Sequence, residues 1–335
     1  MRAVEHRLPV LLVGGFLGAG KTTLVNQLLR QANGNRIAVL VNDFGDVSID
    51  AELIESTEQS VLHIAGGCMC CSYGDDLVAA LRQLSAKRQS FDRVLIETSG
   101  VSLPYTIACT VPLIEGFELR ATVVLVDGLS VCGQLEDPLI SDTVLRQMDS
   151  ADVILLNKMD RVAAAEHGAR IRLVQELSSG APVWATTRSQ ASWEAIEQNA
   201  GGARVRSARV FSNGSPSGLF DPTHTGDSMG MHRPASLFQS RTVEMRERID
   251  FEALGKALRQ FRAEVIRAKI IAQDLYGRWY TLSFSSGDVQ TQPFAGTPAG
   301  PCGVFIFRAH IDAEKMLKDI VIGALPMPNK SLDSR

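Results

Sequence analysis

The run LPVLLVGGFLGAGKTTLVNQLLR, residues 8–30, constrains this chain more than any other stretch. An apolar segment leads into GxxxxGKT from Gly15 to Thr22, and apolar residues then recur at Leu24, Val25, Leu28 and Leu29, the spacing of one helix face. Buried strand, glycine-rich turn and helix, in that order, are the setting a phosphate-binding loop requires. Its backbone amides curl around phosphates because glycine tolerates the turn, so Gly15, Gly18, Ala19, Gly20 and the following Thr23 are the expected cradle. Lys21 reaches the β and γ phosphates, and the Thr22 hydroxyl is the expected ligand of Mg²⁺.

The rest of the first 200 residues fits that start. RIAVLVND, FDRVLIE, RATVVLVD, ADVILLN and APVWATT are short, almost continuously apolar runs separated by helical patterns. Strands without polar alternation are buried on both faces, which predicts a doubly wound, mostly parallel α/β sheet. Ligands of such sheets bind beyond the carboxyl ends of the strands, so the residues just after each run carry the function. Residues 212–236 are rich in Ser, Gly, Pro and Asp and lack periodicity, the texture of a linker. Beyond them, SLFQSRTVEM, EVIRAKIIAQ, RWYTLSFSS and CGVFIFRAH read as strands, with helices near 250–261 and 312–320. The expected division is a nucleotide-binding domain over 1–205, a linker over 206–236 and a small α+β domain over 237–325.

Composition narrows the partners. A formal net charge of −3 leaves no broad basic face for nucleic acid. The apolar N-terminal run flows straight into the phosphate loop, so it reads as a first strand and not as a cleaved signal, and no other segment has the length of a membrane span. Six cysteines, three of them clustered, do not form a secreted disulfide framework, and the cytoplasm is the expected location.

The base is read at NKMD, Asn157 to Asp160, directly after an apolar run. A carboxylate at Asp160 accepts from the N1 and N2 donors of guanine, whereas adenine has no donor at N1, so the expected nucleotide is GTP. Asn157 would tie this loop to the phosphate loop, with the stem of Lys158 along the base. Glu97, ending RVLIE, stands where an acid would hold magnesium or a water, and Gly100 where a flexible amide could sense the γ-phosphate. Asp43 and Asp46 follow the second strand, in the place of a first switch loop; Asp127 is a weaker candidate at the end of VVLVD. Lys21, Glu97 and Asp43 are the catalytic candidates.

GGCMCC, residues 66–71, crowds three thiols into four positions. Adjacent residues of an extended strand point to opposite faces, so Cys70 and Cys71 can share a ligand only if a loop bends them together. Gly66, Gly67 and Gly74 supply that freedom. Thiolates of Cys68, Cys70 and Cys71 suit zinc, with cobalt, iron, nickel and copper(I) also chemically admissible. Three ligands leave a fourth position for exchange with another protein, or for His63, Asp75 or a side chain distant in sequence. Met69 reads as loop filler, Cys109, Cys132 and Cys302 as isolated core residues, and His224 and His232 as solvated linker residues with auxiliary ligation as the alternative.

In their order, GGFLGAGKTTL, NDFGD, GGCMCC, ETSG and NKMD resemble the CobW-like metallochaperone GTPases, and the likeness covers about residues 8–200. It implies a slow GTPase whose Cys-x-Cys-Cys segment carries metal, whose nucleotide state sets metal affinity, and whose C-terminal domain meets a client metalloprotein; homo-oligomers are compatible with it. Three departures stand out: Asp43 and Asp46 replace the family's usual glutamates, the linker has only two histidines, and RAKI at 267–270 stands where Arg-x-Lys-Gly is common. A maturation factor dedicated to one metalloenzyme or cobalamin-pathway client, and a redox-sensing regulatory GTPase, are the rival readings.

Overall fold

A computed structural model describes residues 7–41, 61–63, 73–200, 237–285, 287–294, 298 and 300–325. Seven of its strands form one sheet: β1 (Leu8–Gly15), β2 (Ile37–Val41), β3 (Val61–His63), β4 (Arg93–Glu97), β5 (Phe117–Asp127), β6 (Val153–Asn157) and β7 (Val183–Ala185). They lie in the order β3-β2-β4-β1-β5-β6-β7, and every pairing is parallel. The apolar runs read from the sequence are six of these strands; β3 was not expected, because three residues carry no periodicity.

Helices cover both faces, and the strand residues divide between them with period two. Leu11 and Val13, Val39 and Val41, and Leu155 pack with α1 (Lys21–Arg30) and with Trp193 and Ile196 of a helix over Trp193–Asn199. Val10 and Leu12, Leu40 and Ile96 pack instead on the helices Tyr73–Ala86 and Pro104–Thr110. In β1, β2, β4 and β6 nearly every residue on both faces is buried, so the pattern is an apolar run and the polar residues collect at strand ends, whereas the edge strand β7 is only partly covered.

The C-terminal domain is an antiparallel sheet built from β8 (Phe238–Glu244), β9 (Val265–Gln273), β10 (Trp279–Ser285), β11 (Asp288–Pro293) and β12 (Cys302–Arg308), in the order β11-β10-β9-β12-β8. One face, with Ala268, Ile270, Leu282, Phe284, Phe305 and Phe307, is buried with residues of the helices Phe251–Gln260 and Ala313–Gly323. Asp250 caps the first of these helices, accepting from the N–H groups of Glu252 and Ala253, and Asp312 caps the second through Lys315. The edge strand β11 escaped the sequence reading because DVQTQP is polar and largely exposed.

The two domains meet through apolar and ionic contacts. Phe238, Ile266 and Ile306 of the antiparallel sheet share a core with Phe16, Leu17 and Val101 of the first domain, and the rings of Phe16 and Phe238 lie 6.4 Å apart. Arg308 donates to Asp137 at 2.5 Å, and Arg161, next to Asp160, donates from Nη2 to Asp288 at 2.8 Å.

Candidate functional site

β1 delivers the chain to the GKT loop at the carboxyl edge of the sheet, and α1 carries it away. Gly20 turns at φ +108°, and a Cβ there would stand 2.5 Å from Asn157 Nδ2, so only glycine allows the loop and the NKMD segment to close up. No side chain caps the start of α1 among the described residues. Its first amide groups are therefore oriented as an anion site of the kind a helix terminus offers. Lys21, only 5% exposed, bends back so that its ammonium donates to the Phe16 carbonyl at 3.4 Å. Thr22 Oγ1 donates to Glu97 Oε1 at 3.0 Å, and Glu97 is 2% exposed at the end of β4. A hydroxyl and a carboxylate at the floor of a phosphate loop are hard oxygen donors, the kind Mg²⁺ takes.

The NKMD loop follows β6. Asn157 Nδ2 donates to the Ala19 carbonyl and to Ser189 Oγ, each at 2.8 Å, and its Oδ1 accepts the Ser189 N–H at 2.7 Å. One amide side chain thus joins three loops. Lys158 takes a left-handed backbone, φ 59°, and its ammonium pairs with Asp127 at 2.8 Å. Asp160 is exposed to the cleft.

Ser189 has no counterpart in the sequence reading. It is fully buried in the loop after β7 and donates from Oγ to the Gly20 carbonyl at 3.0 Å. Arg188 and Ser189 both hold positive φ, 49° and 58°. Two such residues in succession cost energy that the hydrogen bonds to Asn157 and Gly20 offset, and strain of this kind gathers at functional sites. The rule that ligand residues follow strand ends, applied to APVWATTRSQ, would have found them.

Gly100 lies beneath Leu17, whose Cδ2 would be 2.4 Å from an added Cβ, and its carbonyl accepts from the buried Gln147 at 3.1 Å. That packing fixes the turn after β4 beside the phosphate loop. Gly18, Gly20, Lys21, Thr22, Thr23, Asn157, Lys158 and Asp160 all line one cleft of about 1200 Å³, whose opposite wall is the C-terminal sheet. The Arg161 guanidinium on its rim holds the Asp288 carboxyl below its ordinary range. Gly15, Ala19, Glu97 and Gly100 stand behind the lining.

The metal and switch residues read from the sequence, Cys68, Cys70, Cys71, Met69, Asp43, Asp46, His224 and His232, lie outside the described residues. Of His63 and Asp75 only the backbone is described, at the end of β3 and in the first turn of the helix Tyr73–Ala86. Cys109, Cys132 and Cys302, expected in the core, are half-buried, and Cys132 accepts from Arg170. Among the described residues no group of three or more His, Cys, Asp or Glu side chains could hold a metal, and no helix is long and apolar enough to cross a membrane.

The chain is 36% identical to a protein of Pseudomonas aeruginosa named Zinc chaperone CobW, over 50% of this chain and 52% of that one. It is 32% identical to the Zinc-regulated GTPase metalloprotein activator 1 of Dictyostelium discoideum, over 55% of this chain and 46% of that one. It spans about half the length of these curated relatives. Among solved structures, the Zn(II)-bound YjiA GTPase from E. coli aligns with 93% of this chain and 98% of its own, at 21% identity and a TM-score of 0.42. Residues 9–185, just over half of the chain, match the family model described as CobW/HypB/UreG, nucleotide-binding domain. Because that match runs from the first strand of the parallel sheet to its last, the chain belongs to the CobW/HypB/UreG family.

Proposed function

We propose that this protein is a GTP-dependent metallochaperone, which binds a transition metal, zinc, through Cys68, Cys70 and Cys71 and passes it to a client metalloprotein in the cytoplasm. The observation that carries the reading is the tie through Asn157, which joins NKMD to the phosphate loop so that both line one cleft. Asp160 then faces the cleft to accept from the N1 and N2 donors of guanine. Lys21 neutralises the β and γ phosphates, while Thr22 and Glu97 hold Mg²⁺. When bound, that ion would offset the charge that develops on the phosphates. Gly100, next to the phosphate loop, is placed to respond when the last phosphate departs, and Asp43 belongs to the same switch.

Zinc is cargo in this scheme. The names of the Pseudomonas and Dictyostelium relatives support a zinc assignment. The described flanks support coupling: β3 runs parallel to β2 and ends at the sheet edge that carries the phosphate loop, with nine residues between its end and the next helix at Tyr73. In the chain the Cys-x-Cys-Cys segment follows directly on β3, so an event at the γ-phosphate would reach it along the carboxyl edge of the sheet. Loss of that phosphate changes metal affinity through an ordering switch, and by linkage metal changes nucleotide affinity by the same factor. The client meets the C-terminal domain, residues 237–325.

The test is a competition titration of zinc into the reduced protein with Mg²⁺ and either GDP or a non-hydrolysable GTP analogue, beside a variant with Cys68, Cys70 and Cys71 all changed to Ser. One tight site that needs the cysteines and shifts with the nucleotide is the expected result. Equal, weak binding by both proteins sinks the proposal.

A further inference from the structure

The C-terminal sheet has two chemically different faces. One is buried on its own helices. On the other, Arg267, Lys269, Thr281, Ser283 and Ser285 line the nucleotide cleft opposite Lys21 and Thr22. The antiparallel register sets Ser285 directly across from Arg267, and Ser283 across from Lys269. Opposed residues share a face, with Cβ atoms about 5 Å apart. Ser285 Oγ donates to the Leu17 carbonyl at 3.0 Å, and a Cβ on Gly18 would fall 2.1 Å from that oxygen. Arg267 is thus rooted one residue pair from the phosphate loop, and Lys269 at the next position on the same face. Arg267 is 9% exposed, so its charge lies where water screens it poorly.

Charge agrees with position. Among the described residues, seven basic side chains and two carboxylates line this cleft, in a chain whose formal net charge is −3. Two of those basic groups have carboxylate partners, Arg161 at Asp288 and Lys158 at Asp127, which leaves the lining still in positive excess. Such an excess of positive charge on facing walls fits a polyanion between them.

We propose that Arg267 and Lys269 bind the phosphates of the nucleotide held by the phosphate loop, so that the C-terminal sheet is the second wall of the nucleotide site. The planar guanidinium suits paired contacts with phosphate oxygens, and the ammonium adds a point charge. The domain assigned to the client would then sense the phosphates directly, without a relay through the switch loops. The inference rests on the reading of this cleft as the guanine-nucleotide site.

The experiment titrates the full chain, with Mg²⁺, with fluorescent GDP and a fluorescent non-hydrolysable GTP analogue at low and high ionic strength. Wild type is compared with Arg267→Gln, Arg267→Lys, Lys269→Gln and, as a charge control on the outer helix, Lys256→Gln. Arg267→Gln and Lys269→Gln are each expected to weaken one or both nucleotides about tenfold, the loss of a charged hydrogen bond in part-screened surroundings, and to flatten the salt dependence. Arg267→Lys recovers part of the loss, and Lys256→Gln matches wild type. If Arg267→Gln fails to fold, Lys269→Gln, at a half-exposed position, decides alone. Wild-type affinity and salt dependence in both glutamine variants would overturn the inference while leaving the nucleotide reading intact. A wild-type chain that binds no guanine nucleotide would defeat the reading of the cleft itself.

Discussion

Asn157→Ala tests whether the three-loop junction holds the nucleotide site together. Asn157 is 2% exposed, donates twice at 2.8 Å, and accepts from the Ser189 N–H at 2.7 Å and from Thr186 Oγ1 at 3.4 Å. Truncation leaves the Ser189 Oγ its bond to Gly20, but strands the Ala19 carbonyl and the Ser189 N–H, both on residues no more than 1% exposed. Each stranded buried group costs about 1–3 kcal/mol, so the local loss is about 3 kcal/mol after partial relaxation, roughly a hundredfold in an opening equilibrium. Arg188 and Ser189, held at positive φ, would relax first. Asn157→Asp should be no better, because it keeps the acceptor for Ser189 and puts a carboxylate oxygen 2.8 Å from the Ala19 carbonyl. Amide hydrogen exchange resolved over 186–190 reads the opening directly, with GDP affinity measured on the same samples. Exchange and affinity both within about threefold of wild type would refute the reasoning, since a loss of about 3 kcal/mol cannot hide in that range.

Gly18→Ala should push the C-terminal sheet off the phosphate loop, because its Cβ meets Ser285 Oγ at 2.1 Å and the backbone sits at φ +78°. The expected loss is about 2–3 kcal/mol in urea unfolding, from overpacking plus the left-handed backbone. Adding Ser285→Gly should recover the overlap and leave about 1 kcal/mol of backbone cost; simple additivity of the two changes would show that the sheet does not press on the loop. The domain contacts should also depend on pH. Arg161 holds Asp288 below the ordinary aspartate value of 3.8, and at Asp137 burial pushes upward but Arg308 and the Leu139 N–H outweigh it. Both carboxyls are depressed on folding, so their contribution is complete above 3.8 and is lost as pH falls through the lower folded values. Unfolding midpoints measured from about pH 6 down to about pH 3 should fall at the acid end, and the double variant Asp288→Asn, Asp137→Asn should flatten that fall; an unchanged acid limb would exclude these pairs as its source.

What could be read from residues alone was set by local rules. Six strands of the parallel sheet were legible as apolar runs, five because their faces are largely buried and the edge strand β7 from its short apolar run alone, and Glu97 and Asn157 because each is the first polar residue at the end of such a run. β3 and β11 were not legible: the first has three residues, and the second is a polar edge strand. The sequence by itself determined the phosphate loop, the base-reading loop and the cysteine cluster, since each chemistry needs a few residue types at short spacing. Tertiary structure alone decided what meets them. Ser189 joins Asn157 across 32 residues, and Ser285 reaches Leu17 across 268, as the parallel sheet gathers loops at one edge and the antiparallel sheet turns its polar face onto them. No local pattern encodes a contact of that separation, because it depends on which faces are left after every apolar one has been buried.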